Sequence, residues 1–196
     1  KKANALGHIV LLDPVGAGAS RLRTDTANRL MREVRFDAVR GNISEIKTLC
    51  TGSGSTKGVD ADAVDAVTEA NLDDGVALVK AFAKQTGCII AVTGAIDLVS
   101  DGERCWCIRN GRAEMSRITG TGCQLSALMT AFLVANPDRK LDAAAAAVCM
   151  MGLAGEIGWA NMQPGDGNST YRDRIIDAIF NMTSDALEEG AKYELR

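Results

Sequence analysis

The sequence predicts an α/β fold in which helices flank a largely parallel central sheet, giving three layers. Short, continuously apolar segments alternate along the chain with longer segments of helical periodicity, the pattern of strands connected by helices. Apolar residues make up 46% of the 196 residues and aromatic residues only 4%, and there are 20 glycines. This composition favours a core of aliphatic side chains with helices packed closely on the sheet.

Strands and helices are predicted to alternate through the first half of the chain. The segment HIVLLDPV, residues 8–15, is a continuous apolar run typical of a buried parallel strand. Gly87 is expected to end an amphipathic helix over 71–87. The other elements predicted here are a helix over 23–34, a strand over 36–42, a helix over 42–50 and a loop over 51–62.

The second half is predicted to begin with strands and to end with helices. A buried strand over 88–94 leads into a hairpin over 96–111, with Asp101-Gly102 as its turn signal. Residues 113–118 add an expected edge strand. Helices are then predicted over 120–135, about 140–161 and 169–190, with a loop over 162–169.

Charge and cysteine content narrow the classes of function. The net charge is −3 with both signs spread along the chain, so a nucleic-acid partner is not expected. The longest uncharged run, 143–155, is too short to span a bilayer, so no membrane is expected. The six cysteines show no framework spacing and His8 is the single histidine, which favours reduced thiols in a cytoplasmic protein. Cys105 and Cys107 are expected to point to one face of a strand.

Four segments rich in glycine and polar residues follow predicted strands or begin a helix. They are DPVGAG (13–18), RGNISE (40–45), VTGAID (92–97) and GTGC (120–123). Because ligands of open α/β sheets bind at the carboxyl ends of the strands, these segments are expected to line one crevice.

The segment GTGC places a cysteine directly behind a glycine turn, where a helix begins. Free backbone N–H groups and the positive end of the helix dipole suit a phosphate there, and they favour a reactive thiolate at Cys123. The alternative is a tight turn with a buried cysteine. The segment is not a Walker-type loop, and TGSGSTKG, residues 51–58, lacks the Gly-Lys pair and favours a mobile polar loop.

The segment RGNISE offers oxygen ligands and a cation. Asn42 and Glu45 lie one helical turn apart and could hold Mg²⁺ directly or through waters; the alternative is a helix cap with Glu45 facing solvent. Arg40 is a candidate for pairing with phosphate oxygens, or else for a surface salt bridge. Asp13 is a candidate for the surroundings of the metal, or else it caps a turn. Thr93 is a candidate for contacting a phosphate, or else it is present only because threonine favours β-strands.

The segments DPVGAGAS, RGNISE, VTGAIDLVSDG and GTGCQLSAL, in this order and spacing, resemble the hydroxyethylthiazole kinase family of the ribokinase-like superfamily. The resemblance covers the chain from Leu11 to the C-terminal helix. The last two segments separate this family from most sugar kinases, which place an aspartate where Cys123 stands.

The resemblance implies transfer of the γ-phosphoryl group of ATP, with Mg²⁺, to the primary hydroxyl of 4-methyl-5-(2-hydroxyethyl)thiazole in thiamine salvage. It implies nucleotide contacts from Arg40 and Thr93, a thiazole contact from Gly120, magnesium-region acids at Asp13 and Glu45, and an active-site cysteine at Cys123. The turn that ends at Gly122 is expected to donate N–H groups to the transferring phosphoryl. The family forms trimers with each thiazole site at a subunit interface, so a homotrimer is expected.

Members of the family carry a segment ahead of Asp13-Pro14-Val15 that holds the first strands and helices. The sequence is therefore expected to be a single ribokinase-like kinase domain, residues 1–196, that lacks its N-terminal portion. Two other functions stay open: a related kinase acting on a hydroxymethylpyrimidine or pyridoxal-type alcohol, and a catalytically inactive nucleotide-binding protein.

Overall fold

The protein, as a computed structural model, is described for residues 1–51 and 66–196, and its strands in this part of the chain form one six-stranded sheet. The strands are β1 (Leu11–Leu12), β2 (Ala38–Asn42), β3 (Ile89–Thr93), β4 (Asp97–Ser100), β5 (Cys105–Ile108) and β6 (Tyr193–Leu195). Their order across the sheet is their order along the chain.

Four strands point in one direction. β1, β2 and β3 pair in parallel, whereas the β3–β4, β4–β5 and β5–β6 pairs are antiparallel, which turns β5 back into the direction of β3. The expected largely parallel sheet is confirmed, since β1, β2, β3 and β5 all run in the same direction. Short turns join β3 to β4 and β4 to β5, because adjacent antiparallel strands need no crossover helix, whereas the chain reaches β6 only after four helices.

Helices cover both faces of the sheet. They are α1 (Lys2–Ala5), α2 (Arg21–Glu33), α3 (Ile43–Thr51), α4 (Leu72–Thr86), α5 (Thr121–Ala135), α6 (Lys140–Ala160), α7 (Asn168–Asn181) and α8 (Ser184–Gly190). Two 3₁₀ turns, Glu69–Asn71 and Ala113–Arg117, precede α4 and α5.

Alternation along β3 divides the core into two halves. Ile89 and Ala91 pack with α5, α6 and α7 on one face, and Ile90 and Val92 pack with α2, α3 and α4 on the other. All four side chains are buried. The expected three-layer arrangement is therefore confirmed.

Helix α6 is the central helix of its layer. Among the described helices it alone is long and apolar enough to cross a membrane by length and composition. In this fold 67% of its apolar window is buried, and α6 packs between α5 and α7 over β3, β4 and β5. Its apolar character is explained by that position.

Several predicted turns are confirmed. Gly87 ends α4 in the left-handed conformation, with φ of 69°. Asp101 closes the β4–β5 turn, where its Oδ1 accepts hydrogen bonds from the backbone N–H groups of Glu103 and Arg104. Cys105 and Cys107 lie on one face of β5 and are both buried.

Other predicted elements differ from the structure. The strand expected over 8–15 is reduced to β1, because the chain turns directly after it: the C=O of Asp13 accepts the N–H of Val15. The edge strand expected over 113–118 is wrong, since a 3₁₀ turn occupies it. The helix expected over 169–190 is broken before Thr183, whose Oγ1 caps α8. The expected loop over 51–62 lies outside the described residues except for Thr51, which ends α3.

Candidate active site

The four segments singled out in the sequence meet at one edge of the sheet. Asp13 follows β1, Arg40 lies in β2, Thr93 ends β3, and α5 begins beside them. Since β1, β2 and β3 are parallel, their carboxyl ends share this edge. Hydrogen bonds of Arg40 and its packing on Gly122 join these segments at one edge of the sheet, and that they line a crevice there stays a prediction.

Arg40 connects three of the strand ends and the helix. Its Nη1 donates a hydrogen bond to Asp13 Oδ2 at 3.1 Å, and its Nη2 donates to Thr93 Oγ1 at 2.9 Å. The Arg40 and Asp13 side chains are only 13% and 15% exposed, so the alternative of a surface salt bridge is wrong. Two fixed partners hold a planar guanidinium in one orientation, which suits recognition of a phosphate.

The first turn of α5 is built to receive an anion. Gly120 precedes the helix with φ of 96°, a conformation that glycine adopts without strain. Gln124 N–H makes the first helical hydrogen bond, to the C=O of Gly120 at 3.0 Å. The N–H groups of residues 121–123 come before that bond and lie at the positive end of the dipole. These N–H groups together with the helix dipole are sufficient to bind an anion.

Gly122 leaves room for the guanidinium of Arg40 in its observed position. A Cβ atom at Gly122 would lie 2.8 Å from Arg40 Nη1 and 3.1 Å from Nη2, so the guanidinium packs directly on the helix backbone. The cation and the N–H groups of the helix terminus are therefore adjacent, and both favour negative charge in the same place.

Cys123 is exposed in the first turn of α5, so the alternative of a buried cysteine is wrong. The other five cysteines, all within the described residues, are buried or half-buried: Cys50, Cys88, Cys105, Cys107 and Cys149. Burial raises the pKa of Cys50 to about 11 and that of Cys149 to about 12. Exposure and position both single out Cys123 as the accessible thiol of the molecule.

Glu45 is a buried carboxylate that organises the edge. It forms a capping box with Asn42, in which each side chain accepts the other residue's backbone N–H, at 2.8 Å and 2.9 Å. Its other oxygen accepts the N–H of Gly16 at 2.7 Å. The predicted cap is confirmed, but Glu45 is 5% exposed and does not face solvent.

The protonation of Glu45 is set by opposing effects. Burial raises its pKa above the ordinary value, and the negative charge of Asp13 acts in the same direction. Hydrogen bonds from Gly16 and Asn42 oppose the rise, as does the positive charge of Arg40. The charges of Asp13 and Arg40 therefore both act on Glu45, in opposite directions.

Asp13 has an oxygen available for a ligand. Its Oδ1 is buried and has no hydrogen-bond partner in the described part of the chain, whereas Oδ2 is occupied by Arg40. Both oxygens of Glu45 already accept backbone N–H groups. No cluster of three or more His, Cys, Asp or Glu side chains occurs in residues 1–51 and 66–196. A cation at this edge would thus rely on one carboxylate and on oxygens from a bound ligand.

Two residues of the edge were missed by sequence reasoning. Ser126 Oγ donates to Asp13 Oδ2 at 2.7 Å, and Asp97 Oδ1 accepts the N–H of Gly94 at 2.8 Å. Burial raises the pKa of the Asp97 carboxyl to about 7. Ser126 lies one helical turn beyond Gly122, and Asp97 closes the segment VTGAID, so spacing from the glycine turns was the available signal.

Comparison with known proteins points to one family. The sequence profile of the hydroxyethylthiazole kinase family matches residues 1–185. A protein of Clostridium acetobutylicum named hydroxyethylthiazole kinase is 51% identical over 194 residues, which cover 99% of this chain and 71% of that protein. A solved hydroxyethylthiazole kinase from Pyrococcus horikoshii OT3 aligns with a TM-score of 0.83 at 28% identity, covering 99% of this chain and 68% of that chain.

A pyridoxal kinase from Staphylococcus aureus, solved in complex with ADP, shares the fold with a TM-score of 0.56 at 17% identity, covering 96% of this chain and 62% of that chain. The ribokinase-like fold expected from the sequence is therefore confirmed, whereas the thiazole kinases match in sequence as well. The profile match and the shared segments lead to one conclusion: the chain belongs to the hydroxyethylthiazole kinase family.

Proposed function

We propose that this protein transfers the γ-phosphoryl group of ATP to the primary hydroxyl of 4-methyl-5-(2-hydroxyethyl)thiazole, at the edge formed by β1, β2, β3 and α5. Family membership supports the reaction. The observation that carries the location is Arg40, which joins Asp13 to Thr93 and packs on Gly122 at the start of α5. Phosphoryl transfer needs this kind of positioning and charge neutralisation more than covalent chemistry.

The nucleotide phosphates bind at the first turn of α5, beside the guanidinium of Arg40. Arg40 counters the negative charge that spreads over the transferring phosphoryl, and Thr93 holds the guanidinium in line. The N–H of Gly122, next to the guanidinium, donates to the same phosphoryl oxygens. Because Asp13, Thr93 and Gly122 fix the guanidinium before ATP binds, little reorganisation is needed during transfer.

Asp13 fits a magnesium ion better than Glu45 does. Its buried Oδ1 lacks a protein partner, and Mg²⁺ is typically held by one or two carboxylates together with substrate phosphates and waters. When bound, the ion neutralises phosphate charge. Glu45 adds negative charge near the ion without binding it. Its carboxylate also holds the turn at Gly16 in place.

Cys123 and Gly120 serve the acceptor side. The Cys123 sulfur is exposed beside the N–H groups that bind the phosphoryl, so it meets the incoming hydroxyl and orients it. As a thiolate it receives the proton of the hydroxyl late in transfer and becomes a thiol. Gly120 contacts the thiazole through its backbone. A side chain at Gly120 would be strained by φ of 96°, which keeps this position small.

The assembly is a cytoplasmic homotrimer with each thiazole site at a subunit interface. Val15 lies in the turn that follows Asp13 and Leu22 lies at the start of α2, and their exposure, 42% and 78%, supports a subunit contact beside the site. All six cysteines are free thiols, which supports a reducing compartment.

A phosphoryl-transfer assay tests the proposal. The purified protein is incubated with ATP, Mg²⁺ and hydroxyethylthiazole, and the products are identified by mass spectrometry. We expect the phosphate monoester of the thiazole alcohol to form in step with ADP, and Asp13→Asn to lower its rate. ATP consumption without a phosphorylated thiazole, or transfer unaffected by Asp13→Asn, would contradict the proposal.

A further inference from the structure

Ser126 links the helix that receives the phosphoryl to the carboxylate that follows β1. Its Oγ lies 2.7 Å from Asp13 Oδ2 and 3.1 Å from the C=O of Gly122, one turn earlier in α5. A hydroxyl has one hydrogen to donate, and the shorter contact to a charged acceptor is the stronger bond. The hydrogen therefore points to Asp13.

One oxygen of Asp13 receives two donors from two different elements. Oδ2 accepts Ser126 Oγ from α5 and Arg40 Nη1 from β2. Two donors fix the carboxylate plane, and the second oxygen, Oδ1, is then held in one buried position without a partner in the described residues. The orientation of Oδ1, the oxygen available to a ligand, therefore depends on the hydrogen bonds that Oδ2 accepts.

Removing the serine hydroxyl would leave this carboxylate with a single donor. Asp13 is then free to rotate about its side chain toward Arg40, which moves Oδ1 and leaves Thr93 as the one partner that still holds the guanidinium in its original place. A displacement of about 1 Å at such a site is enough to cost up to 10²-fold in rate. Ser126 lies one helical turn beyond the N–H groups that bind the phosphoryl. Loss of its hydroxyl would therefore lower the rate by disturbing the alignment of Asp13 and Arg40.

We propose that Ser126 is a positioning residue for phosphoryl transfer, which acts by fixing Asp13 and, through it, the alignment of Arg40 with the first turn of α5. This inference rests on the roles proposed above for Asp13 and Arg40. A single side-chain hydrogen bond, across 113 residues of sequence, then couples α5 to the carboxylate that follows β1.

The test compares Ser126→Ala with Ser126→Thr, which keeps the hydroxyl. For Ser126→Ala we expect kcat to fall about 10- to 150-fold, the range for one lost hydrogen bond to a charged group, with KM for ATP within about twofold of the parent value. Calorimetry with a non-hydrolysable ATP analogue should show Mg²⁺ binding weakened by about 3- to 10-fold. Ser126→Thr should recover most of both losses.

Thr130→Val is the matched control. Thr130 lies one turn further along α5, and its hydroxyl donates only to the backbone C=O of Ser126, at 2.8 Å. It removes a helix hydroxyl of the same kind without touching Asp13, so kcat and Mg²⁺ binding should stay at parent values. A Thr130→Val loss equal to that of Ser126→Ala would overturn the inference, because it would indicate a general effect on the helix.

Asp13→Asn, measured in parallel, separates the inference from the proposed function. If Asp13→Asn is impaired while Ser126→Ala matches the parent in kcat and Mg²⁺ binding, the positioning role is wrong and the proposed function stands. If neither substitution changes these quantities, the proposed role of Asp13 fails and the role of Ser126 fails with it.

Discussion

Arg40 shows how much of the site depends on single side chains. Its two terminal nitrogens are fixed by Asp13 and Thr93, and its flat face rests on Gly122. The pattern of a basic residue at a strand end was enough to predict a phosphate-binding arginine. The bridge itself was not predictable, because it depends on three residues that are far apart in sequence.

Arg40→Ala should weaken ATP binding by about 1–3 kcal/mol, the range for hydrogen bonds to charged groups. Calorimetry of ATP with Mg²⁺ measures this directly. Arg109→Ala is the control, since Arg109 follows β5 and pairs with Glu69 before α4 and with Glu194 on β6, away from Asp13 and Thr93. Equal ATP affinity in both variants and the parent would remove Arg40 from the nucleotide site.

Cys123 should be alkylated by iodoacetamide faster than the other five cysteines, because it is exposed at a helix N-terminus while they are buried or half-buried. ATP with Mg²⁺ should slow this reaction by covering the thiol. Peptide mapping by mass spectrometry measures both effects.

The same residue should matter for turnover. Cys123→Ala should lower kcat by up to roughly 10²–10⁴-fold, the usual range for a lost general base, and leave ATP affinity nearly unchanged. Cys123→Asp, which restores the carboxylate of most sugar kinases, should stay active. If the alanine variant turns over normally and Cys123 does not react with iodoacetamide, Cys123 has no role in catalysis and only contributes to packing.

Asp97 should make stability depend on pH. Its pKa is raised from 3.8 to about 7 by burial, so its contribution to stability is greatest below pH 4 and is lost as pH rises through about 7. Asp97→Asn keeps an oxygen for the Gly94 N–H without a charge to bury. The thermal midpoint of Asp97→Asn minus that of the parent should therefore increase from pH 4 to pH 8. Asp138→Asn, at an exposed position, is the control and should show no such trend.

At the scale of elements, local patterns predicted the strands and helices whose signals are contained in their own sequence. β3 follows from its continuous apolar run, and the end of α4 follows from Gly87. The segment 113–118 alternates like a strand, but it forms a 3₁₀ turn in which Met115 packs against Gly155 of α6. β6 was not predicted because its three residues form a strand only by pairing with β5.

Helix α6 docks through glycines, and Gly152 is the one that approaches the backbone of another segment most closely. A Cβ at Gly152 would lie 2.7 Å from the backbone of Asn110, which cannot move aside, so Gly152→Ala should destabilise the fold by about 1–3 kcal/mol. Gly75→Ala is the matched control, because Gly75 is also inside a helix but meets only side chains, at 3.2 Å or more. Urea unfolding of both variants measures the difference. Equal free energies of unfolding would show that the α6 contact is not tight.

At the scale of the whole molecule, topology brings the site together. Parallel strands place their carboxyl ends at one edge, so the convergence of the four segments was predictable once the fold was. The contact between Ser126 and Asp13 was not, because it joins α5 to the end of β1 across 113 residues. That residues 1–196 form a single kinase domain, and that the assembly is a trimer, remain predictions.

The choice of acceptor tests the central claim most directly. The purified protein is given ATP, Mg²⁺ and an equimolar mixture of hydroxyethylthiazole, hydroxymethylpyrimidine and pyridoxal, and the phosphorylated products are quantified by mass spectrometry at early times. Rates in such a mixture report the ratio of kcat/KM values. The account predicts that hydroxyethylthiazole phosphate is the main product. A larger yield of the pyrimidine or pyridoxal phosphate would contradict it.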